Sequence, residues 1–514
     1  MHDLLLRHGT VHDGLGGRAR TADVAIHDGR VVAVGTGLGP ARRELDVTGL
    51  VVAPGFVDPH SHSDTVPFLS EPQPFKLLQG VTTEIIGNCG FSCAPVRGDA
   101  SGFTPSVLTG AAFSTMREYL DAAEAAGTAN NLAVLTGHNT LRLAAAGMSA
   151  EITATQLDRM RAMAAEAFEA GAYGLSSGLE YVPGAYAGVD ELVALALVAK
   201  RWELTYATHM RSESEGLADA LDEAIAVAAG ARIRLHVSHC KASGRAVHGA
   251  SALVLEKLTR ARAAGVDVRA DVYPYLAFGT GLVAVLPPVA CEGGEDALLA
   301  RLADPGERVR LRALAESPGT GIGVGLWREL HPADVQILTH RDPRVAGKRL
   351  ADLGGDPWNA LCDLLAADPA AAGVFHTMHE GDLRAFLADP LVSIGSDGGP
   401  PVGPNHPRTF GTFPTFLGRY VREEKVVPLE TAVRKVTSAA AAQFGLVGRG
   451  WLGPGAVADV CVFDPETIGH AGTYEQPDVR PTGVVHVFLA GRQAVADGEP
   501  TGGRLGRVLR RGRP

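Results

Sequence analysis

The sequence predicts an α/β chain built on a TIM-type (β/α)8 barrel, and three observations predict it. Eight strand-like apolar runs occur in the middle of the chain, most separated by Ala-rich helical stretches. Nearly every conspicuous polar residue falls at the C-terminal end of one of those runs, where this architecture gathers its active-site groups. Both ends of the chain have a different texture, short alternating strands punctuated by Gly and Asp.

The first element is the β-rich N-terminal stretch, "DLLLRHGTVHDG", "ADVAIHDGRVVAVG" and "RELDVTGLVVAPG". Its texture returns in "ADVCVFDPETI" and "VVHVFLAGRQAVADG" near the other end. One small β-sandwich domain drawn from residues 1–54 and 448–514 accounts for both. The barrel then occupies residues 55–447. Its strands are expected in "LVVAPGFVDPHSH", "VTTEIIGN", "NLAVLTGH", "AYGLSSGL", "LTYATHM", "RIRLHVSHC", "DVRADVYPY" and "LVSIGSDG". Helices are expected between them, as in "ITATQLDRMRAMAAEAFEAG" and "EGLADALDEAIAVAAG". More than a hundred residues separate the seventh run from the eighth. That is too long for a loop, so an inserted subdomain is expected at about residues 286–369.

Composition excludes several classes. The chain has 514 residues, more than one core usually serves, with 46% apolar and 20% charged residues. A net charge of -10 without a long basic run leaves no nucleic-acid footprint. The arginines of "GRLGRVLRRGRP" are expected to form a solvated tail or a domain edge. Six cysteines in so long a chain do not make a disulfide framework, which points to a reducing compartment. No apolar run approaches the ~20 residues of a membrane span. The leucine run before Arg7 is too short for a signal peptide, so the cytoplasm is the expected location.

The strand ends carry the chemistry. The first ends in "DPHSHSD", where His60 and His62 share a face by the two-residue period of a strand. The second ends at Asn88-Cys89, the fifth at His209, the sixth at His239 and the eighth at Asp397. One barrel mouth would collect four histidines, a cysteine and a carboxylate, a metal site by its ligand types. Imidazoles with a thiolate suit zinc. Of the two cysteines in "TEIIGNCGFSC", Cys89 can point into the mouth, whereas Cys93 is expected to pack as a hydrophobe. Cys240 should face away from the mouth, and Cys291, Cys362 and Cys461 have no motif partners. The "HTMHEGD" cluster, with His376, His379 and Glu380, precedes a helical segment and is expected to cap it or face solvent. His138 ends the third strand without a ligand role, and Glu180 and Tyr181 are expected to shape the mouth.

These motifs resemble the amidohydrolase superfamily and, within it, the D-aminoacylase (N-acyl-D-amino-acid deacylase) family. The resemblance runs through "PGFVDPHSHSD", "GVTTEIIGNCGFSCAPV", "GLSSGLEYVPG", "THMRSE", "HVSHCKASG", "DVYPY", "IGSDG", "HPRTFGTFPTFLGRYV" and "GPGAVADVCVFDP". It implies a metal-dependent hydrolase barrel. The superfamily often bridges two metals with a carboxylated lysine on strand four, and "AYGLSSGLEYVPG" has none. The resemblance makes Cys89 the bridge instead: Cys89, His209 and His239 hold a tight zinc, and His60 and His62 join Cys89 in a weaker or optional second site. It also implies Asp397 as general acid/base, Lys241 and Tyr273 as substrate contacts, and Arg408 as the partner of a substrate carboxylate. Family members often carry a serine where this chain has Gly279, so a carboxylate contact is either missing there or replaced by Thr280.

The implied substrate is a small N-acyl-D-amino acid, hydrolysed to a D-amino acid and a carboxylate. The sequence itself does not encode the handedness, the preferred side chain or the oligomeric state. A cyclic amidase of the hydantoinase or dihydroorotase kind would use the same barrel, but the missing lysine and Cys89 argue against it. A catalytically silent scaffold should have lost ligands, and here all are present.

Overall fold

A computed structural model describes residues 1–96, 113–317 and 325–512. Residues 318–324 of the expected insertion and 513–514 of the arginine tail lie outside the described residues.

Eight parallel strands form the barrel: Phe56–Asp58, Val81–Ile86, Asn131–Gly137, Gly174–Gly178, Thr205–His209, Arg234–Val237, Val268–Val272 and Val392–Ile394. Each pairs with the next in sequence order. The ring closes at its C-terminal rim, where Ser61 bridges Gly398 and the Asp397 N–H donates to the His60 carbonyl at 2.8 Å. All eight expected runs therefore lie in the barrel, with one refinement. "LVVAPGFVDPHSH" is two strands: Val51–Pro54 belongs to the terminal sheet, and the chain crosses to the barrel at Gly55. A Cβ on Gly55 would sit 2.2 Å from Thr82 Oγ1, so the crossing needs glycine.

The helices follow from local signals. Ala154–Ala170 opens on a capping box between Thr153 and Gln156, and buries Met160, Ala164, Ala167 and Phe168 along one face. Leu217–Ala231 likewise buries Leu217, Leu221, Ala224 and Ala228. These faces pack on the barrel's outer surface and merge into the largest core.

Strands from both chain ends form one nine-stranded sheet, in which Val51–Pro54 pairs with Val460–Phe463. A second core of Leu4, Leu6, Val24, Ile26, Val460, Val462 and Phe488 fills this domain. The insertion has its own three-stranded sheet, Phe278–Gly281, Val335–Thr339 and Ala372–Phe375, and its own core around Trp358. The sheet begins before residue 286 and ends after 369, because its first strand and its central strand, Phe278–Gly281 and Ala372–Phe375, lie next to the barrel connections.

The described part of the arginine tail is a domain edge, the second of its two expected forms. Val508–Leu509 adds to the base of the third barrel strand. Arg504 donates to the carbonyls of Pro67, Leu69 and Gly127, and Arg510 pairs with Asp121 and Glu124. The arginines meet fixed carbonyls and carboxylates that only the fold brings together. Among the described residues no helix is long and apolar enough to cross a membrane.

Candidate active site

The strand ends deliver their side chains through unusual backbone. Cys89, His239 and Asp397 follow strands two, six and eight with φ of 53°, 33° and 49°. Non-glycine residues avoid this left-handed region, at a cost of about 1–3 kcal/mol each. Its use at three converging positions marks a site rather than a packing solution. Two glycines make room: a Cβ on Gly178 would lie 2.1 Å from the Cys89 carbonyl, and one on Gly90 would lie 2.2 Å from Asn139 Oδ1.

Cys89 is at the centre. Its Sγ lies 3.3 Å from His60 Nε2 and 3.4 Å from His239 Nε2. His60, Cys89, His239 and Asp397 offer ligand atoms that all lie within 4.8 Å of one another. His62 Nε2 and His60 Nε2 approach Asp397 Oδ1 at 3.1 and 3.4 Å. The His209 ring stands 4.4 Å from that of His239, centroid to centroid, and its Nε2 is 3.3 Å from Glu180 Oε2. Burial alone would push the Cys89 thiol up, but His60 and His239 outweigh it and hold the thiol well below its ordinary range. A thiolate is the form that ligates metal. A thiolate, two imidazoles and a carboxylate in one buried cluster, with His62 and His209 beside it, fit zinc in ligand type.

Buried carboxylates orient these ligands. Glu213 Oε1 lies 2.8 Å from His239 Nδ1, while its Oε2 accepts from Lys241 Nζ at 2.5 Å. Glu213 thereby fixes the His239 ring so that its Nε2 faces Cys89. Burial would raise the Glu213 carboxyl, but Lys241, His239 and His209 bring it down to about 2. Asp271 serves two strands: Oδ1 accepts from the His239 N–H at 3.1 Å, and Oδ2 faces His236 at 2.7 Å and His60 Nδ1 at 3.5 Å. Deeper still, Lys76 Nζ donates to Asp58 at 2.6 Å and to Ser396 at 2.7 Å, tying strand one to strand eight.

The cationic side of the mouth lies across Asp397. Arg408 Nη1 is 2.7 Å from Asp397 Oδ2, and Nη2 donates to the Gly279 carbonyl at 3.1 Å. Its guanidinium lies 5.0 Å over the Tyr273 ring. Burial would raise the Asp397 carboxyl, yet Arg408 and His239 keep it well below the usual carboxylate range. The Tyr273 hydroxyl is buried with no hydrogen-bond partner among the described residues, a polar group left for something else. Lys241 is no solvated rim charge: it is 1% exposed and its ammonium is committed to Glu213. Gly279 contributes its carbonyl, and the Thr280 hydroxyl donates to Tyr181 at 3.0 Å.

His60, His62, Cys89, His209, His239, Asp397, Arg408, Tyr273 and Lys241 are thus neighbours around one mouth. Cys93, Cys240 and Cys461 lie in the main core, and Cys291 and Cys362 in the insertion's core. His138 is turned away, 2.7 Å from Glu191. His379 precedes the helix Glu380–Ala388, and Glu380 pairs with Arg384. Glu213, Asp271, His236 and His406 were not singled out from the sequence. Their one signal was a charged or imidazole group inside a strand or motif, as in "RADVY" and "THMRSE", where an apolar or neutral residue would otherwise pack.

A barrel whose strand ends hold a cysteine, histidines and a carboxylate for metal defines a metal-dependent hydrolase. The particular lineage follows from comparison. The family model for the amidohydrolase family matches residues 43–292 and 363–495. The chain is 37% identical to an N-acyl-D-glutamate deacylase of Alcaligenes xylosoxydans xylosoxydans, over 99% of this chain and 96% of the relative. It is 34% identical to a D-aminoacylase of the same organism, over 99% and 98%. Among solved structures, an N-acyl-D-glutamate deacylase from Bordetella bronchiseptica, in complex with zinc and a phosphonate mimic of the tetrahedral intermediate, superposes with a TM-score of 0.85. That match is at 34% identity and covers 99% of both chains. An L-hydantoinase from Arthrobacter aurescens shares the fold at a TM-score of 0.57 and 16% identity. The chain belongs to the amidohydrolase family and, within it, to the D-aminoacylase group.

Proposed function

We propose that this protein is a zinc-dependent N-acyl-D-amino-acid deacylase, which hydrolyses the amide of a small N-acyl-D-amino acid to a D-amino acid and a carboxylate. The observation that carries it is the juxtaposition of Cys89 and its histidines with Asp397, and of Asp397 with a buried arginine 2.7 Å away. A potential metal cluster beside a buried guanidinium supports this reading, in a chain similar to deacylases over its full length.

Cys89, His209 and His239 would hold the tight zinc, and His60 and His62 with Cys89 a second. When bound, the metal supplies Lewis acidity, polarising a carbonyl and making water acidic enough to attack at neutral pH. Asp397 takes a proton from the attacking water as the carbon–oxygen bond forms. It then gives that proton to the leaving nitrogen as the carbon–nitrogen bond breaks. Arg408 pairs with the substrate's α-carboxylate through its planar fork, with Tyr273 and Lys241 lining the same side. A pinned carboxylate, an oriented amide and a side-chain pocket fix three points, and three points distinguish D from L.

No strand-four lysine is present for a cyclic-amidase site, since Gly174–Gly178 reads GLSSG. The test is to incubate the zinc-loaded protein with racemic N-acetyl Met, Leu, Phe, Glu and Asp and resolve the released amino acids chirally. D-products alone are expected. Release of L-products, or turnover only of hydantoins, would overturn the assignment.

A further inference from the structure

We infer that Tyr474, carried on a loop of the terminal β-domain, is a positioning residue for the carboxylate side of the active site, acting on Arg408 through His406. The inference rests on the assignment of Arg408 above.

Arg408 opens the helix Arg408–Thr415, and His406 lies two residues before it. His406 joins two elements. Its Nδ1 accepts from the Arg408 backbone N–H at 3.0 Å, and its Nε2 donates to the Ala277 carbonyl at 2.9 Å. Ala277 is two residues from Gly279, whose carbonyl accepts from the Arg408 guanidinium. His406 therefore fixes both the backbone that carries Arg408 and the strand that receives its side chain. Both bonds need a neutral ring in one tautomer and one orientation.

Packing sets that orientation. The His406 ring meets Tyr275 edge-on at 5.4 Å and 90°, and Tyr474 at 5.1 Å and 82°. Tyr474 also meets His376 edge-on, at 4.8 Å and 71°, so its ring is wedged between a barrel-rim loop and the insertion. Its hydroxyl faces the backbone of Leu276 and Ala277. Tyr275 comes from the barrel itself, whereas Tyr474 is the side of this cage that a separate domain supplies.

The loop is seated rather than draped. It is closed by a bridge between Gly469 and Thr482. Gly411, inside the Arg408 helix, admits His470 so closely that a Cβ would fall 1.9 Å from its ring. Gly418, further along, leaves room for the Ile468 carbonyl, which a Cβ would approach to 2.4 Å. Arg422 donates to that same carbonyl at 2.6 Å. These contacts hold the loop along the helix and bring Tyr474 to His406.

The experiment uses the zinc-loaded enzyme, the N-acetyl-D-amino acid it turns over fastest, and the carboxamide of that substrate. Tyr474→Ala should raise KM for the acid about tenfold, the weight of two edge-to-face aromatic contacts. It should change kcat less than KM, since Tyr474 reaches the Asp397 carboxylate only through Arg408. KM for the carboxamide, which offers Arg408 no anion, and zinc content should stay at wild-type values. Tyr474→Phe keeps the ring and loses only the hydroxyl facing Leu276 and Ala277, so its KM should lie closer to wild type than that of Tyr474→Ala. Arg408→Gln separates the two levels. If it leaves KM for the acid unchanged, the Arg408 assignment fails and this inference with it. If it raises KM and Tyr474→Ala does not, or Tyr474→Ala affects acid and carboxamide alike, Tyr474 has no positioning role.

Discussion

Replacing Glu213 by glutamine keeps its shape and removes its charge. In the folded protein that charge lies 2.8 Å from His239 Nδ1, 2.5 Å from Lys241 Nζ and 3.9 Å from His209 Nε2, at 5% exposure. Folding carries the carboxyl from 4.5 to about 2. At about 1.4 kcal/mol for each tenfold change, that is worth roughly 3 kcal/mol. The cost of stranding one partner of a buried pair, about 3–5 kcal/mol, is of the same size. The folded value is depressed, so the unfolded chain binds the extra proton as pH falls. The contribution is complete above pH 4.5 and is lost as pH falls towards 2. Glu213→Gln should therefore lower the barrel's urea-unfolding free energy by about 3 kcal/mol at pH 7, with the gap to wild type closing on acidification. Zinc affinity, measured by competition with a chromophoric chelator, should fall about 10–100-fold as His239 loses its orienting acceptor. A variant that binds zinc and unfolds like wild type would refute the coupling of His239 and Lys241 through this carboxylate.

Two further substitutions divide metal binding from proton transfer. Cys89→Ala should lose bound zinc, read by elemental analysis after dialysis, and turnover with it; retention of both would remove the bridging role of the thiolate. Asp397→Ala should keep its tight zinc and lose about 10²–10⁴-fold in kcat, the usual weight of a general acid/base. Retained turnover would place the proton transfer elsewhere.

Much of the site was legible because ligand chemistry is written in residue types. A histidine pair at strand spacing, a cysteine ending an apolar run and a carboxylate in "GSDG" have few roles in common other than metal chemistry. The eight strands were legible because period and length are local properties. Less legible were residues whose role depends on a distant partner. "LVVAPGFVDPHSH" is one apolar run in sequence but serves two sheets, and only the steric demand of Thr82 on Gly55 divides it. The closing arginines look solvated until the carbonyls of Pro67, Leu69 and Gly127 are brought beneath Arg504.

By itself, the sequence determined the architecture and put the proposed metal ligands and acid/base at the strand ends, because periodicity and donor chemistry act within a few residues. Tertiary structure alone decided which groups orient that set. Glu213 meets Lys241 across 28 positions and Asp271 meets His60 from a different strand, while Tyr474 reaches His406 from the loop between Val460–Phe463 and Val484–Leu489. Hydrogen bonds and ion pairs act over about 3 Å, and nothing in a linear chain records which of its polar groups will come that close.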